Sequence, residues 1–421
     1  MNHFPSRLGA VLDHGVRSLF QPIVELDSGH RIAYEALARG PEGSVLESPL
    51  DLFAAARAEG RVVELDWACR AAAVIGARAG GLAPPAALFI NAEPEALSAP
   101  APDPALAALV RGAAAELRIF VEITERAMTI RPAELLDAVE RLRAQGFGIA
   151  LDDVGADRRS LALLPLLRPD IVKLDLSLIH NHPSRMSGEV MNGVCAYAEQ
   201  TGAAILAEGI EHEGHVLAAR SLGATLAQGW HFGRPAPLPG RVEIVRPATT
   251  LGIAPRIAPH SPVALVHARR GMSVGRKDVL LSVSRALEAQ ALELGEHAVV
   301  VAAFQDAAHF TPATYLRYAE LASRVAFIAA LGVGMADEPA PGVRGATLAD
   351  DDVLRGEWDI AVLGPHFAGA LVARDLGDTG PDRDRRFEFV LTFDRDLVVD
   401  VAAALIGRVG SAADVGLAVA A

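Results

Sequence analysis

The sequence predicts an α/β protein of two domains, a ring of βα units followed by a smaller α/β unit, and three observations carry that prediction. First, a carboxylate, an asparagine or a lysine stands where each of several short apolar runs ends: Glu35 after RIAY, Asn91 after ALFI, Glu122 after LRIFV, Asp152 and Asp153 after FGIAL, Lys173 and Asp175 in DIVKLD, and Glu208 and Glu211 after AAILA. From Asn91 onward these positions lie roughly 20 to 35 residues apart, about the length of one strand plus one helix. Second, alanine-rich segments of helical period separate the runs. Third, the texture breaks near 235–262 into a proline- and glycine-rich stretch, after which a new α/β pattern begins. Repeated βα units gather the carboxyl ends of parallel strands around one pocket. A (β/α)8 barrel is the natural reading, with an open doubly wound sheet as the rival.

Taken in order, FQPIVEL at 20–26 reads as the first strand, and the runs ending at Glu35, Asn91, Glu122, Asp152, Lys173 and Glu208 read as the next ones. Residues 49–80 and RPAELLDAVERLRAQG at 131–146 have amphipathic helical spacing, and Gly146 ends the latter just before FGIALDD. The boundaries follow as 1–245 for the barrel, 246–261 for a linker and 262–421 for the second domain. In that domain VALVHA, HAVVVAAF, VAFIAALG, WDIAVLG, GALVARDL and FEFVLTFD read as strands. DVLLSVSRALEAQALELG and TPATYLRYAELASRV read as helices, the latter capped by Thr311 with Pro312 at its first position.

Composition narrows the function classes. The chain has 421 residues, 51% hydrophobic and 22% charged, enough for two cores and too apolar for bulk disorder. A net charge of −13 argues against a nucleic-acid polymer or an anionic membrane surface as partner. Cys69 and Cys195 lack metal-site spacing, which favours a reducing cytosol. The N-terminus shows no signal peptide, and no uninterrupted apolar stretch is long enough to cross a membrane, so the expectation is a soluble cytoplasmic protein without membrane insertion.

So many acids in one pocket repel each other unless cations lie among them. The set is oxygen-rich and cysteine-free, which favours Mg2+ or Mn2+ over Zn2+. Two such ions suit phosphodiester hydrolysis, because they activate the nucleophile and neutralise charge on the phosphoryl oxygens. Lys173 stands apart: it and Lys277 are the only lysines among 39 basic residues, so a compact ammonium is selected there over the chain's usual guanidinium. The competing readings are ordinary ones. A strand-end acid commonly caps a helix, Asn91 could cap the AEPEAL segment, His212 and His215 could be solvated helix residues, and Trp230 and Phe232 could be core as readily as a stacking surface.

YEALARGP at 34–41 resembles the signature of the EAL family of cyclic-di-GMP phosphodiesterases. FIN at 89–91, VEITE at 121–125, ALDDVG at 150–155, IVKLD at 171–175, AEGIE at 207–211 and QGWHFGRP at 228–235 resemble its further motifs, in order, over nearly all of residues 17–240. The resemblance implies an EAL-type TIM barrel whose first strand runs antiparallel to its neighbours, a tendency to form homodimers, and cyclic-di-GMP as substrate. It implies Glu35, Asn91, Glu122 and Asp152 as ligands of the first metal with Glu208 nearby, and Asp153 and Asp175 completing the second. Lys173 would orient the water and stabilise the transition state, Glu208 and Glu211 would support the catalytic cluster, and Glu125 would act catalytically or as a strut for the loop after Asp153. Gln21, Leu37, Arg39, Gln228 and Pro235 would contact substrate. The chain departs from the family in that loop, where VGADRRSL at 154–161 replaces a glycine-rich turn. A catalytically silent cyclic-di-GMP receptor is therefore the rival function.

Residues 262–421 resemble the DICT sensory module through their strand–helix order and FQDAAHFTPATYLRYAELA at 304–322. The resemblance implies a regulatory role. His309, Tyr315, Tyr318, Trp358, His366 and Phe367 are candidate pocket residues there, with ordinary packing as the competing reading.

Overall fold

The computed structural model describes residues 7–124, 132–156, 160–180, 185–238, 240, 261–379 and 381–410. Among these, two sheets form separate compact units. The first is a closed eight-stranded barrel: β1 (Arg17–Glu25), β2 (Arg31–Arg39), β3 (Ala87–Asn91), β4 (Arg118–Thr124), β5 (Gly148–Val154), β6 (Ile171–Leu174), β7 (Ala204–Ala207) and β8 (Leu226–Gln228). The open-sheet rival is thereby excluded. β1 pairs antiparallel with both β2 and β8, and every other neighbouring pair is parallel.

The strands are nearly continuous apolar runs because helices cover them outside and side chains fill them inside. Ile23, Ile32, Phe89, Phe120, Ala150, Ile171, Leu206 and Leu226 form the fully or almost fully buried interior, with Phe89 and Phe120 stacked at 5.1 Å. Small residues fit where space is short: a Cβ on Gly148 would come within 2.4 Å of the Phe120 ring. The register places the polar residues at one end, with Glu35 opposite Phe89, Asn91 opposite Glu122, and Thr124 opposite Asp152. The helix Val62–Ala79 covers β1–β3 with alanines and Leu65, and the helix Pro132–Ala144 precedes β5 as its spacing predicts.

The second unit is a seven-stranded mixed sheet in the order β12-β11-β10-β13-β14-β15-β9. Its strands are β9 (Ser273–Arg276), β10 (Val299–Asp306), β11 (Phe327–Val333), β12 (Arg344–Thr347), β13 (Glu357–Leu363), β14 (Ala368–Asp375) and β15 (Arg386–Thr392). Parallel pairing of β10, β11 and β12 adjoins an antiparallel remainder. Helices Lys277–Leu294 and Pro312–Ala322 form where read, and Thr311 accepts a hydrogen bond from the Thr314 N–H at 3.3 Å. VALVHA corrects one expectation: it lies in the helix Pro262–His267, not a strand. Ser261 caps it by accepting from the Ala264 N–H at 3.0 Å, and Pro262 starts it. The two edge strands β9 and β12, four residues each, carry too short a pattern to be read. The linker 246–261 lies outside the described residues but for Ser261, its last position.

Candidate active site

Lys173 anchors the site. It projects from β6 into the carboxyl end of the barrel and is only 1% exposed. Its Nζ lies 2.7 Å from Glu122 Oε1, 2.6 Å from Glu208 Oε1, 3.1 Å from Asp152 Oδ1 and 4.0 Å from Glu35 Oε1. One ammonium thus meets carboxylates from β2, β4, β5 and the residue after β7, four segments that only barrel closure brings together. Amides orient Glu35: Asn91 Nδ2 donates to Oε1 at 3.0 Å, and Gln228 Nε2 donates to Oε2 at 2.5 Å. Gln228 Nε2 also lies 3.1 Å from Gln21 Oε1, and Gln21 Nε2 donates to the Gly233 carbonyl at 3.2 Å. Asn91 therefore serves the cluster, and Glu93 stands at the N-cap of the helix Pro94–Ser98.

The electrostatics fit an unfinished cation site. Burial works to raise Glu35, but the Lys173 charge and the amide donors bring it below its ordinary value. Burial and the neighbouring Glu35 hold Glu122 well above the carboxylate range, and burial pushes Glu208 up to about 8 despite Lys173. Burial works to lower Lys173, yet Asp152, Glu122, Glu208 and Glu35 bring it well above its ordinary value and keep it charged. Neither Glu122 oxygen has a hydrogen-bond donor of good geometry among the described residues. Asp152, Asp153 and Glu208 present carboxylate oxygens within 4.8 Å of one another, a spacing that suits a divalent ion. Asp153 takes a left-handed φ of +59°, which turns it at the strand end, and its N–H donates to Asp152 Oδ1 at 3.0 Å.

The remaining expected residues are placed differently. Asp175 lies beyond the end of β6, where Oδ1 accepts from the Ser177 N–H at 2.8 Å and serves the turn into the helix Leu176–His180. Glu211 is exposed, and its N–H meets His215 Nδ1 at 3.3 Å. His215 stacks between His212 and His180, and His180 Nε2 lies 2.6 Å from the Gly209 carbonyl, so these histidines brace the loop after Glu208. Arg39 donates from Nη1 to the Ala38 carbonyl at 2.8 Å. Pro235 is half-buried near the short bridge between Ala236 and Phe20. Trp230 is exposed rather than core, with the Arg234 guanidinium 4.0 Å over its ring. Glu125 lies outside the described residues, as do Asp157, Arg158 and Arg159 of the departing loop.

A cavity of about 340 Å3 opens beside Glu35, Asn91 and Glu122, walled by Leu37, Phe53 and Ile90. It also contains Asp66 and Arg70, a buried ion pair that reading the sequence did not single out. Asp66 Oδ1 accepts from the Glu93 N–H at 2.8 Å, and burial, offset in part by Arg70, pushes its carboxyl up to about 6. The signal was an acid and a base four residues apart on an otherwise apolar helical face.

The EAL domain family matches residues 8–235, over half of the chain, and the sensory domain of diguanylate cyclases and two-component systems (DICT) matches residues 265–376. An uncharacterized signaling protein of Caulobacter vibrioides is 31% identical over 247 residues, which cover 58% of this chain and 30% of that one. The cyclic di-GMP phosphodiesterase RocR of Pseudomonas aeruginosa is 31% identical over 236 residues, 54% of this chain and 59% of RocR. A solved Klebsiella pneumoniae BlrP1 calcium/cy-diGMP complex aligns with a TM-score of 0.47 and 31% identity, covering 53% of this chain and 57% of that one. The chain thus spans less than two thirds of the length of each of these proteins.

Proposed function

The chain belongs to the EAL-domain family, and from that premise we propose that its barrel is a metal-dependent phosphodiesterase that opens cyclic-di-GMP to the linear dinucleotide pGpG. The observation that carries the reading is the lysine-centred acid set: carboxylates from four separate barrel segments surround one ammonium, with Asp153 adjoining them. Capping explains none of these contacts, and Lys173 is the single cation set against four carboxylates, which leaves negative charge for a further cation to offset. RocR, whose name carries the same activity, is a relative over this region.

The donor set fits two hard divalent cations, Mg2+ or Mn2+. Asp152, Asp153 and Glu208 would hold one, and Glu35, Asn91 and Glu122 the other. Asn91 already directs its N–H toward Glu35, which leaves its Oδ1 to face a cation. When bound, two such ions supply an acidified water and neutralise charge on the phosphodiester. The chain's own residues do the rest. Lys173, held charged by its neighbours, donates hydrogen bonds across the cluster and offsets negative charge that develops on the phosphoryl oxygens. Gln228 and Asn91 fix the rotamer of Glu35, and Gln21 extends that brace toward Gly233.

The cavity beside Glu35 suits one guanine nucleotide of the substrate, with Leu37 and Phe53 as apolar walls and Asp66 and Arg70 as polar partners for the base edge. Arg39, Gln228 and Pro235 remain proposed substrate contacts, and Asp175 and Glu211 proposed members of the wider site. The second domain would regulate the barrel, and the functional unit would be a homodimer.

Chromatography of purified protein incubated with cyclic-di-GMP tests the proposal. Linear pGpG is expected with Mg2+ or Mn2+ and absent with EDTA or in Glu35→Ala. Intact cyclic-di-GMP under every metal condition, despite measurable binding, would replace the enzyme with a receptor.

A further inference from the structure

The second domain holds its own built cavity, and we propose that it binds a small planar aromatic anion there. The cavity is about 320 Å3 and is lined only by residues of this domain. Its apolar walls include Phe304, Trp358 and Phe387. Trp358 and Phe387 meet edge to face at 5.5 Å, and Phe304 is wedged against Tyr318 and Phe310, so the walls are set before any ligand arrives.

Gln305 is the observation that points to a ligand. It lines the cavity and is only 9% exposed, yet its carboxamide makes no hydrogen bond among the described residues. The carboxamide is not sealed in the core but opens to the cavity, where a ligand can take its hydrogen bonds. Its backbone is held at φ +64°, where the pairing of β10 with β11 slips between Ala303 and Asp306. Non-glycine residues seldom adopt that conformation, and strained positions of this kind gather at ligand sites. Ser284, 6% exposed, lines the same space with its hydroxyl likewise unpaired among the described residues. Aromatic walls with two uncommitted polar groups suit a flat molecule bearing hydrogen-bonding atoms on its edge.

The charges choose the sign. Lys277 is paired with Asp382 at 2.6 and 2.7 Å, and Arg317 with Glu288 at 2.9 Å. Arg285 lines the cavity without an ion pair or side-chain hydrogen bond among the described residues. Arg285 also acts on Glu288, so the lining sets three cations, Lys277, Arg285 and Arg317, against two acids, Glu288 and Asp382, and the excess positive charge is there to meet an anionic substituent. This site stands independently of whatever reaction the barrel performs.

Fluorescence titration of the full chain tests it with two probes of one skeleton, 8-anilinonaphthalene-1-sulfonate and the uncharged N-phenyl-1-naphthylamine. The expected result is saturable binding of both with energy transfer from tryptophan, the sulfonate tighter. Arg285→Ala should weaken the sulfonate by about fivefold and leave the neutral probe unchanged, a size typical of one exposed charge contact. Gln305→Gly should weaken both by roughly tenfold without lowering the melting temperature, because glycine accepts the backbone conformation. Ala308→Phe, at the rim, should abolish both. No saturable binding in the parent, or binding that Gln305→Gly and Ala308→Phe leave unchanged, overturns the site. Equal loss of both probes in Arg285→Ala overturns the anion preference.

Discussion

Replacing Lys173 by methionine removes the one positive charge from the centre of the acid cluster while keeping most of the side chain's volume. In the parent protein Nζ lies within 3.1 Å of three carboxylates and at 4.0 Å from a fourth. With the ammonium gone, Glu122 remains fully buried beside Glu35, and no cation is left to offset either. Removing one partner of a buried ion pair costs roughly 3–5 kcal/mol, because the survivor is left desolvated and uncompensated. For a unit of this barrel's size that corresponds to a melting temperature lower by roughly 6–20 °C. Thermal unfolding followed by circular dichroism in EDTA reads the loss. Excess Mn2+ should return most of it, since a divalent ion replaces the missing charge. Lys173→Met combined with Glu122→Gln should also recover part of the loss, because the two sites are in contact and couple. A Lys173→Met protein that melts within about 2 °C of the parent in EDTA, with no response to Mn2+, would refute the reasoning, since that is below one kcal/mol at this size.

Three further predictions follow from other parts of the structure. Asp153→Asn should fold normally, because asparagine tolerates the left-handed φ of +59°, but should weaken Mn2+ binding by about tenfold or more through loss of an anionic ligand, as read by calorimetry. Gly229→Ala should cut turnover steeply while sparing the rest of the barrel: a Cβ there would meet Ile210 backbone atoms at 2.1 to 2.6 Å, and Ile210 joins β8 to the loop between Glu208 and Glu211, so unchanged kcat would contradict it. In the second domain Asp359 is fully buried with Oδ2 lacking a donor, and burial followed by Glu357 holds its carboxyl well above the ordinary value. The folded state then keeps a proton that the unfolded chain has released, so stability falls by about 1.4 kcal/mol per pH unit as pH rises from the unfolded carboxyl value toward the folded one. Asp359→Asn should flatten that slope and melt above the parent at pH 8, with little difference near pH 4; parallel pH profiles would count against it.

Most of the barrel was legible because its parallel strands β3 to β7 are short buried apolar runs that stop at or near a residue of the acid cluster, whereas antiparallel β1 ends at Glu25 away from it. Glu35, Glu122, Asp152 and Lys173 could be named from sequence for that reason, and Asn91 from its place at the end of ALFI. What the pattern could not give depended on where backbone geometry stops. Lys173 and Asp175 share a face only while the strand continues, but β6 ends at Leu174, and Asp175 Oδ1 accepts from the Ser177 N–H at the start of the next helix. VALVHA has strand composition, but the capping Ser261 and initiating Pro262 decide in favour of a helix. Asp66 and Arg70 lie on a helix whose packing against the strands alone reveals that they reach the cavity. Gln305 gave no signal at all, since its φ arises from a register slip between β10 and β11.

The most direct test of the account couples metal occupancy to chemistry in one sample. Metal-free protein is titrated with Mn2+ while free ion is read by electron paramagnetic resonance and pGpG by chromatography. The account predicts two equivalents bound per barrel, turnover that rises with the second equivalent, and loss of both in Glu35→Ala. Turnover without bound metal, or two equivalents bound with cyclic-di-GMP left intact, would contradict it.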